Sequence, residues 1–191
     1  MKLEKSFYTR DTITVAKDLL GKNLCRKTPF GIIEAKIVET EAYLSENDPA
    51  CHANRGMTPR NEPMFEEGGI SYVYFIYGNY FCFNVVSDKK GFGTAVLIRA
   101  VEPLNHEIIK NYRNTKKIKD LTNGPSKLCM AMNITKEQNK LDLITSSEIF
   151  ITDNESIKKN DIIETTRIGI TQAQDLKLRF YIKDNIFVSK I

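Results

Sequence analysis

Residues 36–52 read Lys-Ile-Val-Glu-Thr-Glu-Ala-Tyr-Leu-Ser-Glu-Asn-Asp-Pro-Ala-Cys-His, and no other stretch constrains the fold as much. It opens as a β-strand, whose successive side chains point to opposite faces. Val38, Thr40 and Ala42 then share one face and are small enough to pack inward, while Ile37, Glu39, Glu41 and Tyr43 share the other. A carboxylate and an aromatic ring two residues apart suit a base beside a stacking platform. The same pattern describes an edge strand with a solvated acidic face, the commoner fate of strand carboxylates. The alternation stops between residues 44 and 69, where Pro49, Pro59, Pro63, Gly56, Gly68 and Gly69 punctuate a stretch carrying Arg55 and Arg60. A loop this long inside one domain is usually functional or disordered. Basic residues next to the Glu41 strand favour function.

The rest of the chain supplies partners for that strand. Asp11 is a good N-cap, Ile13, Val15, Ala16, Leu19 and Leu20 recur at helical spacing and Gly21 supplies a stop, which predicts a helix over 12–20. Strands are expected over 23–27 and 32–43 around a turn at 28–31, then over 70–77, 80–87 and 95–101. Arg99 is the one charge in the last of these, and a buried charge needs a carboxylate or a phosphate. Residues 105–119 read as a polar helix, and Pro125 opens a second helix to about Met132 with Ser126 and Lys127 in its first turn. Helix starts of this kind can hold a phosphate on backbone N–H groups, or can simply be helix starts. Strand-like runs near 148–152, 162–170 and 178–183 close the sheet.

The chain has 191 residues, 41% hydrophobic and 27% charged, which predicts one soluble domain with a proper core. No run is long enough to span a membrane and no apolar segment follows Met1, so neither membrane insertion nor secretion is expected. Cys25, Cys51, Cys82 and Cys129 lie far apart, as reduced thiols do in a reducing compartment. With only His52 and His106 besides, a structural zinc site is not expected. A net charge of +4 permits nucleic acid as a partner, and Lys110, Arg113, Lys116, Lys117 and Lys119 crowd one segment that suits either solvent or phosphates.

Several segments in order then match one family: Val38-Glu-Thr-Glu-Ala-Tyr43, His52, Thr58-Pro-Arg-Asn61, Met64-Phe65, Tyr72-Val-Tyr74, Ile76-Tyr-Gly78, Tyr80-Phe-Cys82, Asn84, Leu97-Ile-Arg-Ala100, Gly124-Pro-Ser-Lys-Leu-Cys129 and Leu178-Arg-Phe-Tyr181. The set closely resembles the alkyladenine (3-methylpurine) DNA glycosylases, over nearly the whole chain. The resemblance implies an α+β fold, a single mixed domain around a curved antiparallel sheet with flanking helices. It implies a monomer that acts on double-stranded DNA containing damaged purines, in the bacterial cytoplasm or a eukaryotic nucleus, with neither metal nor organic cofactor. By matching position it makes Glu41 the general base for water, with Arg99 helping to hold that water. Tyr43, His52 and Tyr74 would enclose a flipped base, Asn84 would guard against guanine, and Tyr77 would wedge into the duplex. Thr58, Tyr80, Ser126 and Lys127 would contact the DNA backbone. Asn79, beside the wedge, is polar where the family often has an apolar residue.

The chemistry fits these residue types. Extruding a base costs a few kcal/mol, and stacking on rings returns about 1–3 kcal/mol per base. A carboxylate stabilises the cationic sugar left by a departing purine and takes a proton from the attacking water. Arg99 is expected to keep Glu41 ionised, and Glu39, one pleat away, is expected to tolerate substitution almost silently. One conflict is visible. A two-residue Gly78-Asn79 hairpin would put Tyr74 and Asn84 on opposite faces, so a bulge or an odd-length loop is expected between them. Two other readings remain open: a non-catalytic module that binds damaged nucleic acid, and a metal-dependent hydrolase using Glu39, Glu41, Asp48 and His52.

Overall fold

The longest strand, β2 (Gly31–Tyr43), is the one on which the rest of the sheet is assembled. In the computed structural model, which describes residues 1–76, 78–113 and 115–190, β2 pairs with β5 (Thr94–Pro103) along one edge. Its other edge is shared. β1 (Asn23–Thr28) pairs with residues up to Lys36, and β8 (Arg179–Ile182) takes over at Glu39, Thr40 and Glu41. β3 (Ser71–Ile76) and β4 (Tyr80–Ser87) extend the sheet beyond β5; β6 (Ile149–Thr152) lies beyond β1, and β7 (Ile162–Thr165) beyond β8. All pairings are antiparallel, and the handover from β1 to β8 splits one edge so that the sheet curls.

The helices are short. α1 is Lys5–Tyr8, α2 is Thr12–Asp18, α3 is His106–Ile109 and α4 is Pro125–Ala131. In α2 the Asp11 carboxylate accepts from the Thr14 N–H at 2.9 Å, and Val15 and Ala16 pack on the sheet with Leu19 and Leu20. α4 adds Leu128, Cys129 and Ala131 to the same core. The expected helix over 105–119 ends after one turn, and among the described residues of that range 3₁₀ geometry follows at Ile118–Leu121. Beyond Ile109 too few apolar residues recur to hold a face on the core, and polar side chains take over the backbone. Asn111 donates to the Ile108 carbonyl and Thr115 to the Lys117 carbonyl.

Two irregularities in the β2–β5 ladder decide which residues face the core. The pairs Ile37↔Val101, Glu39↔Ala100 and Thr40↔Ile98 leave Val38 extra on β2 and Arg99 extra on β5. A bulge shifts the alternation by one residue. Before it, Ile33, Ala35 and Ile37 face the main core; after it, Ala42 does, and Thr40 donates to the Ala16 carbonyl of α2 at 2.8 Å. Strict alternation put Val38 inward and Ile37 with the carboxylates. Instead Val38 packs with Ala100 and Phe187 on the opposite side of the sheet, where Glu39, Glu41 and Tyr43 follow.

The hairpin resolves the other conflict as expected. Pairing runs unbroken from Tyr72↔Asn84 through Tyr74↔Cys82 to Ile76↔Tyr80. The connection is residues 77–79, an odd number, with Gly78 at a left-handed φ of 74° that glycine adopts freely. Tyr72, Tyr74, Cys82 and Asn84 therefore share one face.

Candidate functional site

Glu41 does not lie on a solvated edge. It sits on a strand paired on both sides, and its side chain is fully buried. One carboxylate oxygen accepts from the Ile168 backbone N–H at 2.8 Å and lies 3.3 Å from Arg99; the other accepts from the Tyr43 hydroxyl at 2.9 Å. Burial pushes the carboxyl above its ordinary range. Arg99, the Ile168 N–H and the Tyr43 hydroxyl pull downward without cancelling that push, and Glu39 adds to it. Arg99 thus finds the carboxylate partner its sequence position required, but it does not keep Glu41 at an ordinary pKa.

Arg99 reaches Glu41 because its backbone is the extra residue of the β5 bulge. Its Nε donates to Glu39 at 3.1 Å, Nη1 to the Ile168 carbonyl at 3.4 Å and Nη2 to the Ser189 hydroxyl at 3.3 Å. Glu39 is as deeply buried as Glu41 and accepts from four donors: Arg99, Arg179 Nη1 at 2.8 Å, and the Ser189 hydroxyl and N–H at 2.9 and 2.7 Å. Glu39 is thus joined to Glu41 through Arg99 within one buried group of side chains.

A second buried pair lies on the other side of Tyr43. Asp48 and Arg167 are both fully buried and joined by two hydrogen bonds of 2.6 and 2.7 Å. Asp48 also accepts from the Leu44 and Ala50 N–H groups, and Arg167 donates to the Ala42 carbonyl. The Arg167 guanidinium sits 4.6 Å from the Tyr43 ring centre. This pair ties the start of the long loop to residues 166–170, which leave the sheet after β7 instead of continuing the strand expected over 162–170. Arg167 between Thr166 and Gly169 was the available signal for that break. The same loop is held further along by Asn61, which donates to the His52 and Gly56 carbonyls at 2.8 and 3.0 Å.

These elements surround a cleft of about 580 Å³ whose walls include Tyr43, His52, Tyr74, Arg99, Ser126 and Ile168. His52 and Tyr74 meet edge to face at 4.6 Å between ring centres, and the His52 Nδ1 lies 2.9 Å from the Tyr72 hydroxyl. The enclosing walls and Arg60 hold the His52 pKa below its ordinary value, so the ring is neutral at neutral pH. Arg60 lies 5.3 Å from the Tyr74 ring centre. Behind the rings a small cavity of about 20 Å³ is bounded by Tyr43, His52, Tyr72, Tyr74 and Asn84. Asn84 is buried there and donates to the Tyr72 carbonyl at 2.9 Å. Burial also raises the Cys82 thiol, on the cleft wall, to about 11, so it stays protonated.

The expected site residues therefore divide. Glu41, Arg99, Tyr43, His52, Tyr74, Asn84 and Ser126 come together. Thr58, Tyr80 and Lys127 lie outside the cleft wall; Thr58 is exposed, Tyr80 is exposed at the start of β4, and Lys127 donates to Asn123 at 2.7 Å. Tyr77 lies outside the described residues. Of the carboxylates weighed as metal ligands, Glu39 and Asp48 are each taken up by arginines, and among the described residues no three His, Cys, Asp or Glu side chains gather as a metal site would need. Among the described residues, no helix is long and apolar enough to cross a membrane.

Comparison with known proteins finds relatives along almost the full length of the chain. The sequence model of the methylpurine-DNA glycosylase (MPG) family matches residues 6–186. Relatives named "Putative 3-methyladenine DNA glycosylase" include one from Clostridium botulinum (strain Alaska E43 / Type E3), 51% identical with all of both chains covered. Another, from Carboxydothermus hydrogenoformans, is 49% identical with both chains again fully covered. A third, from Methanocella arvoryzae, is 47% identical over 98% of this chain and 96% of its own. With matches of that extent, the chain belongs to the methylpurine-DNA glycosylase family.

Proposed function

We propose that the protein is a monofunctional DNA glycosylase. It hydrolyses the N-glycosidic bond of flipped-out alkylated or deaminated purines, such as 3-methyladenine, 7-methylguanine and hypoxanthine, and leaves an abasic site. The observation that carries this reading is the fully buried Glu41 carboxylate beneath a cleft walled by Tyr43, His52 and Tyr74. A module that only bound DNA would gain nothing from burying a carboxylate there.

In this reading the purine enters between Tyr43 and the His52–Tyr74 pair, which must part to admit it, since the space behind them is too small as it stands. Electron-rich rings favour a cationic alkylated base. The N-glycosidic bond breaks with its electron pair going to the purine. Water adds to the sugar carbon, and Glu41 takes the proton that water gives up. Arg99 and Ile168, both on the cleft wall and both bonded to Glu41, frame the path of that water. Asn84, on the wall of the small cavity behind the rings, is the residue this reading assigns to rejecting the exocyclic amino group of guanine. Among the described residues lining the cleft none is a lysine, which favours hydrolysis by water over an amine nucleophile that would go on to nick the strand.

A duplex containing hypoxanthine tests the proposal. Incubation with the protein should produce strand breaks only after alkali treatment, and excess EDTA should not abolish them. Breaks without alkali, or no release of the base, would overturn the monofunctional reading.

A further inference from the structure

Glu39 has no place in the reaction just described, yet it is held by more donors than Glu41. Its neighbours explain what it can do. Glu39 and Glu41 lie on one face of β2 two residues apart, and Arg99 stands between them, with Nε on Glu39 at 3.1 Å and Nη1 at 3.3 Å from Glu41. Arg179 comes in from β8 and donates at 2.8 Å to the same Glu39 oxygen that Arg99 reaches. All four side chains are nearly or wholly buried.

We propose that Glu39 is a positioning residue that sets the basicity of Glu41 by drawing Arg99 toward itself and by placing a second negative charge beside the catalytic carboxylate. The proposal rests on Glu41 being the general base. A carboxylate paired wholly with one guanidinium is a weak base, because the pairing favours its ionised form. Sharing Arg99 between two carboxylates weakens that effect, and the like charge of Glu39 opposes ionisation of Glu41 directly. Arg179 supplies the cluster with a second guanidinium against its two carboxylates.

The other groups facing Glu41 are accounted for. From β2 comes the Tyr43 hydroxyl, from residues 166–170 the Ile168 N–H and, behind Tyr43, Arg167, whose charge Asp48 cancels. From β4 comes Cys82, which burial keeps protonated. From the C-terminal segment comes Ser189, bonded to Glu39 and Arg99. The two charges that can be substituted without touching Glu41 or Arg99 are thus Glu39, which acts on Glu41 both directly and through Arg99, and Arg179, which acts through Glu39.

The test titrates Glu41 by NMR in full-length protein labelled at the glutamate carboxyl carbon, with the signal assigned by its loss in Glu41→Gln. Glu39→Gln should lower the Glu41 titration by about one pH unit or more, the scale expected for removing a like charge and releasing a shared guanidinium. Arg179→Gln should move it the opposite way, because Glu39 then claims Arg99 more strongly. Glu39→Asp, which keeps the charge, should leave it near the parent value. The acid limb of single-turnover excision should follow each shift, and the plateau in Glu39→Gln should fall several-fold as the base weakens. A purely structural role would move both variants in the same direction or neither. Equal titrations in parent and Glu39→Gln, or shifts of the same sign in Glu39→Gln and Arg179→Gln, overturn the proposal. Should Glu39→Gln not fold, the sign of the Arg179→Gln shift decides. If the titrations move as stated while Glu41→Gln still excises normally, the coupling of Glu39 to Glu41 through Arg99 holds, but the assignment of Glu41 as base falls and with it any part of Glu39 in the reaction.

Discussion

At Glu41 the cost of burying a charge exceeds what one shared guanidinium and two hydrogen bonds return, so the carboxyl titrates above its ordinary range. The general base proposed here needs to be ionised and yet to want a proton, and a raised pKa serves the second need. Excision should therefore fall as pH drops through a value above 4.5, the ordinary value for this side chain. Folding has the opposite dependence. A carboxyl whose folded pKa is raised favours the native state most when protonated, and that contribution is lost as pH rises from the ordinary value through the raised one. Glu41→Gln removes the ionisable proton site while keeping the shape. Single-turnover excision of hypoxanthine should fall by roughly 10² or more, the lower range for losing a general base. The thermal midpoint at neutral pH should equal or exceed that of the parent. Full activity in Glu41→Gln, or a marked loss of thermal stability, would contradict this account of the residue.

The strands were legible in the sequence because a period of two survives wherever a strand is regular. β3, β4 and β5 fall within two residues of their expected bounds, and the shared face of Tyr74 and Asn84 followed from counting loop residues. What failed was alternation across Val38 and Arg99, since a bulge is chosen by two strands together and leaves no mark in either alone. The Asp48–Arg167 pair was hidden for a related reason: its members are 119 residues apart. That pair is the element-scale staple of the site, because it joins the loop after β2 to residues 166–170 across the Tyr43 ring. Arg167→Met should strand a buried carboxylate and cost about 3–5 kcal/mol of stability, as breaking a buried pair from one side does. Adding Asp48→Asn should recover part of that loss. Chemical denaturation of both variants measures it, and a loss below about 1 kcal/mol in Arg167→Met would mean that the pair does not organise the two segments.

At the scale of the whole molecule, the site exists only when distant parts of the chain meet: β2, β5, residues 166–170, β8 and Ser189 each contribute a contact to Glu39 or Glu41. DNA must then be brought to that one cleft by a chain whose net charge is only +4. So modest an excess works if it is placed locally, and Arg55 and Arg60 line the cleft with Lys127 next to Ser126 at its edge. Three phosphates neutralised there would give a slope of about −2.7 in log affinity against log salt, a loss of about 40-fold between about 50 and 200 mM. The proposed stacking of a flipped base between Tyr43, His52 and Tyr74 carries no such dependence. Undamaged duplex and duplex containing hypoxanthine should therefore weaken in parallel as salt rises, with their ratio unchanged. Fluorescence anisotropy across a salt series, using Glu41→Gln to prevent turnover, reads both slopes. A flat profile for undamaged DNA would remove the basic rim as the docking surface. A lesion preference that collapses with salt would mean that discrimination comes from charge and not from the ring-lined pocket.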